Sequence, residues 1–96
     1  MLNEIGCYAF YHCTALTNLT IDKNVISIGK HAFANCHELK YINLPSYLIH
    51  IGDFAFENCT SLKTVTLNSK LEEIGEGAFF CCSELKELSL PSSVIS

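Results

Sequence analysis

The side chains best equipped for chemistry crowd into residues 28–39, which read IGKHAFANCHEL. His31, Cys36 and His37 are of the types that hold zinc, through imidazole nitrogen and thiolate sulfur. Cys7, His12 and Cys13 form a second such set. A cysteine near a histidine is also the raw material of a nucleophile and its base. Each reading makes the same demand on the fold: three groups must converge on one point. Whether they do depends on the elements that carry them.

Those elements repeat. Ile-Gly stands at Ile5-Gly6, Ile28-Gly29, Ile51-Gly52 and Ile74-Gly75, 23 residues apart each time. Ala-Phe follows at Ala9-Phe10, Ala32-Phe33, Ala55-Phe56 and Ala78-Phe79. Then come Cys13, Cys36, Cys59 and Cys82, and after them Leu16, Leu39, Leu62 and Leu85. Apolar columns continue through Leu19, Ile42, Val65 and Leu88, through Ile21, Leu44, Leu67 and Leu90, and through Val25, Leu48, Leu71 and Val94. Equal spacing implies equal backbone conformation in every winding. A winding of this length cannot bury its own apolar side, and stacking places like residues over like to make one core.

Within a winding, Leu39-x-x-Ile42-x-Leu44 ends in period-2 alternation, a strand pattern. Strands recurring once per winding run parallel, about 4.8 Å apart. Pro45 and Pro91 end the strand in two windings, and Asp22 and Asn68 occupy the same place in the others. A short extended run is expected across the back, from Leu48 to Ile51. The segment around Ala32-Phe33-Ala34-Asn35 is expected to make one helical or 3-10 turn.

The pattern I-G-x-x-A-F-x-x-C-x-x-L-x-x-[IL]-x-[IL]-P-x-x-[VL], clearest over 28–48, resembles the BspA-like class of leucine-rich repeats. The resemblance covers essentially the whole chain. It implies an α/β fold: a right-handed leucine-rich-repeat solenoid of four coils, with a parallel strand and a short helical or 3-10 turn in each. The coils are 5–27, 28–50, 51–73 and 74–96 of a single domain, 1–96, expected to be a segment of a longer array. Family members are mostly surface proteins implicated in adhesion and host-protein binding. That implies a surface or secreted setting, although Met1-Leu2-Asn3-Glu4 opens no secretion leader on this chain. The family defines no catalytic residues, so neither an enzyme nor a cofactor is expected.

Against this frame, four cysteines belong to the repeat column and are expected as small buried hydrophobes. Stacked neighbours would hold their Cβ atoms near 4.8 Å, beyond the roughly 3.8 Å a disulfide prefers. Cys7 and Cys81 lie outside the column and are expected at the surface. Cys36 should point inward while His37, equivalent to Thr14, Thr60 and Ser83, should point outward, which argues against zinc. Asn18-Leu19-Thr20 and Asn58-Cys59-Thr60 match the glycosylation acceptor pattern and are read as by-products of the repeat.

Composition narrows the partners. The chain has 96 residues, a net charge of −4 and no arginine, and no basic patch suited to nucleic acid is visible. No apolar stretch is long enough to span a membrane. Residues 1–50 carry three acids and three lysines, and residues 51–96 carry seven acids and three lysines.

The outward positions of the strand face are then the candidate binding residues for a protein or glycoprotein: Tyr41 as anchor, with Lys40, Lys63, Lys86, Asn43, Thr64, Thr66 and Glu87. A second expectation is a spacer or self-assembling segment. End windings without polar caps would expose Phe10 and Leu16 on one side and Phe79, Leu85 and Leu90 on the other, favouring end-to-end association.

Overall fold

The Ile-Gly pairs stand where each winding leaves one ladder and enters another. In the computed structural model, which describes residues 3–85, the extended run ahead of each glycine pairs with its equivalent one winding on. Strands β1 (Glu4–Ile5), β3 (Ser27–Ile28), β5 (His50–Ile51) and β6 (Glu73–Ile74) form a parallel sheet in the order β1-β3-β5-β6. The register is that of the repeat: Ile5 lies opposite Ile28, Ile28 opposite Ile51, and Ile51 opposite Ile74. The strand face forms a second parallel ladder, β2 (Asn18–Thr20) on β4 (Tyr41–Asn43), extended by a single bridge from Tyr41 to Thr64. The back run, expected as a mere crossing, is thus the more continuous sheet among the described residues.

A third ladder corrects the expected helical turn. No helix occurs among the described residues, so the α/β expectation gives way to an all-β solenoid. Across residues 29–35 the backbone donors alternate. Ala32 and Ala34 N–H donate back to Gly29 O and His31 O, as in β-turns, while His31, Phe33 and Asn35 N–H donate to Asp53, Ala55 and Glu57 O in the next winding. The switch is made by left-handed backbone at His31 (φ 56°) and Asn35 (φ 62°), repeated at Phe54 and Asn58. A residue at positive φ breaks the helical hydrogen-bond run and swings the following N–H toward the neighbour. Asparagine suits such a position, and Asn58 Nδ2 donates to Asn35 Oδ1 at 2.9 Å, so the side chains form a ladder of their own.

Gly29, Gly52 and Gly75 stand where windings approach too closely for a side chain. A Cβ on Gly52 would lie 2.7 Å from the backbone of Gly29 and Lys30, so no other residue fits without displacing the coil. Where proline is missing, side chains hold the turn: Asp22 Oδ1 accepts from Asn24 N–H at 2.8 Å, and Asn68 Nδ2 donates to Pro45 O at 3.0 Å.

The core is the set of stacked columns. Phe33 and Phe56 are fully buried, their rings 5.2 Å apart and 2° from parallel, with Phe10 and Phe79 continuing the stack on either side. Ile28, Leu39, Leu48, Ile51, Leu62 and Leu71 fill the remaining interior. No charged or polar residue is buried among the described residues. Ring spacing follows the rise of the backbone from winding to winding, so the sequence register and the packing register are the same thing.

Candidate functional site

The metal and nucleophile readings fail on geometry. Cys36 and Cys59 point inward and are buried, and each thiol donates to a carbonyl of the preceding winding: Cys36 Sγ to Phe10 O and Cys59 Sγ to Phe33 O, both at 3.2 Å. Cys82 Sγ donates to Phe56 O at 3.1 Å. Desolvation pushes all three thiols up, Cys82 to about 11, so the reactive thiolate is disfavoured. All six cysteines are free, and Cys7 and Cys81 are exposed. His37 faces solvent, and His31 is packed between the rings of Tyr8 and Phe54. Cys36 and His37, neighbours in sequence, therefore face opposite ways. Among the described residues no three histidine, cysteine or carboxylate side chains gather as a metal would require.

On the back, a groove of about 580 Å³ runs over the strand–glycine junctions, with Ser27, His50, Asp53, Glu73 and Glu76 along it. His50 Nδ1 lies 2.6 Å from Glu73 Oε1, an ion pair when the imidazole is protonated. The alignment is not that of a hydrogen bond. Asp53 Oδ1 accepts from Glu76 N–H at 2.9 Å and so caps the entry to the fourth turn.

The strand face presents the predicted residues together. Tyr41 is 53% exposed, and Lys40, Asn43, Lys63, Thr64 and Thr66 are all exposed beside it. Lys40 N–H donates to Thr17 O at 2.8 Å and Lys63 N–H to Lys40 O at 3.0 Å, which fixes the two lysines one above the other. Asn43 Nδ2 donates to Thr20 Oγ1 at 3.2 Å. The other two predicted residues, Lys86 and Glu87, lie outside the described residues. Of the acceptor patterns, Asn18 is exposed on β2, whereas the Asn58 amide is committed to Asn35.

One surface escaped the sequence reading. Six rings run in contact along the turn ladder: Phe54, His31, Tyr8, Tyr11, His12 and His37, with neighbouring centroids 4.9–6.1 Å apart. The signal was available in the register, since positions 8, 31 and 54 share a column and all carry rings. Tyr8, His31 and Phe54 stack face to face, which closes both faces of His31 to solvent, while Tyr8 and Tyr11 stay about half exposed.

Comparison with known proteins agrees with this architecture. Residues 3–96 match the family model described as BspA type leucine rich repeat region (6 copies). The structure is similar to that of a leucine-rich repeat protein of T. pallidum, with a TM-score of 0.96 and 36% identity over 98% of this chain and 44% of that one. It is also similar to a leucine-rich repeat protein of Bacteroides ovatus, with a TM-score of 0.92 and 38% identity over 97% of this chain and 24% of that one. The chain thus spans less than half the length of either structure. Among curated proteins none matches the chain.

Proposed function

Because the chain belongs to the BspA-type leucine-rich repeat family, whose repeats serve in protein interaction or structure, we propose that it is a non-enzymatic module that binds a protein or glycoprotein through its strand face. The observation that carries the reading is the in-register ladder of exposed side chains around Tyr41, set on a backbone that the core columns hold rigid. Tyrosine is a common interface anchor because it brings large contact area and a hydroxyl at low entropic cost. Surface display and adhesion are the setting we assign to it. The test is recovery of partners on the immobilised chain and on Tyr41→Ala. The reading expects partner proteins to be lost from the variant while its unfolding midpoint stays unchanged. Equal recovery on both would remove the strand face from consideration.

A second reading is a structural segment that stacks end to end, in keeping with the structural role of such repeats. Such association would rise with protein concentration and would be disrupted by Leu16→Glu. A strictly monomeric chain at high concentration would refute it.

A further inference from the structure

We infer that the strand face takes an anionic partner, a carboxylate-rich segment of another polypeptide seated across Lys40 and Lys63; the inference rests on the strand-face reading above and names its ligand chemistry. Three observations carry it. The two lysines are stacked by backbone pairing, and both are exposed. Neither is in an ion pair: the pairs among the described residues are His31–Glu57 and His50–Glu73. Over the three described windings of that face, residues 17–20, 40–43 and 63–66, there is no carboxylate, on a chain whose net charge is −4; Glu87, in the column of Tyr41 and Thr64, lies outside the described residues.

Like charges opposed on adjacent strands destabilise a sheet. A fold with a surplus of acids has the means to neutralise them, and over the described windings of this face the acids lie elsewhere. Two ammoniums on backbones about 4.8 Å apart can both reach the oxygens of one carboxylate, giving paired charge-assisted hydrogen bonds. Around them the Tyr41 hydroxyl, the Asn43 amide and the hydroxyls of Thr64 and Thr66 supply neutral donors and acceptors suited to peptide groups.

The experiment uses the intact chain and labelled poly-L-glutamate, with heparin as the competing polyanion, at low salt and at about 0.15 M salt, where exposed charges more than about 8 Å apart are largely screened. Lys40→Glu with Lys63→Glu is compared with Lys23→Glu plus Lys70→Glu, which changes net charge equally at other sites. The inference expects poly-L-glutamate to bind, affinity to fall about tenfold or more in the first pair, and much less in the control pair. Equal losses in both pairs, or no binding at low salt, overturns it. Tighter binding of heparin with the same lysine dependence overturns the polypeptide assignment in favour of a sulfated polymer. Salt-sensitive self-association lost in the same pair would overturn it in favour of a second copy of this chain. If poly-L-glutamate fails while Tyr41→Ala still loses its partners, the strand face stands and only the anionic assignment falls.

Discussion

Replacing Cys59 tests why a thiol recurs in the core. Its side chain is fully buried and donates to Phe33 O at 3.2 Å, so it fills space and satisfies a buried carbonyl at once. In Cys59→Ala the lost apolar burial costs about 1 kcal/mol, roughly that of a methylene with its residual cavity. Leaving the Phe33 carbonyl without this donor adds about 1–3 kcal/mol. The expected destabilisation is therefore about 2–4 kcal/mol, a large fraction of the 5–15 kcal/mol available to an average domain. Cys59→Ser loses the apolar burial but keeps a donor in place, and about 1–2 kcal/mol is expected. Urea unfolding at neutral pH, with the slope checked for constancy, measures both. Serine as damaging as alanine, or more so, would show that the sulfur only fills volume and would refute the hydrogen-bond argument.

Glycine and asparagine positions give sharper local predictions. Gly52→Ala drives a Cβ to 2.7 Å from backbone atoms of the previous winding and should cost about 3 kcal/mol in urea unfolding, whereas Gly6→Ala, with nothing within 4 Å, should stay within about 0.5 kcal/mol. Cys81 sits at φ 62° where Asn58 and Asn35 stand one and two windings earlier, so Cys81→Asn should relieve strain and extend the amide ladder. A gain of about 0.5–1 kcal/mol, raising Tm by roughly 2–8 °C, is expected, and an unchanged or lower Tm would count against the ladder. The buried thiols also predict a pH dependence. Burial raises the thiols of Cys36, Cys59 and Cys82, so the folded chain retains protons that the unfolded chain releases above about pH 9. Their contribution to stability is whole below pH 9 and falls as pH rises toward about 11, the folded value for Cys82. The urea midpoint should fall over this window, and less steeply in Cys59→Ser.

The parts of the fold legible in sequence are those that stacking enforces. Ala32, Phe33, Cys36 and Leu39 share a column with like residues, and each lies in the interior where its column placed it. The outward positions of Lys40 and Tyr41 followed from the same register. The turn did not. Ala32-Phe33-Ala34 has good helical propensity, and its local pattern gives no warning that His31 and Asn35 take left-handed backbone. Asparagine was the one available hint, repeated at Asn58. Pairing with the next winding overrides local propensity there, since each odd donor finds an acceptor one coil away. The ring cluster was missed for a different reason. Tyr8, His31 and Phe54 differ in type, so a column defined by shared identity passes over them, although the column shares ring character.

Site-resolved thiol labelling of the native chain, read by mass spectrometry under reducing conditions, tests the stacked-winding account most directly. Cys7 and Cys81 should react at the rate of free thiols, while Cys36 and Cys59 react only as fast as the chain unfolds. Labelling of Cys36 or Cys59 at the rate of Cys7 in the folded protein would place the repeated thiols in solvent and contradict the account.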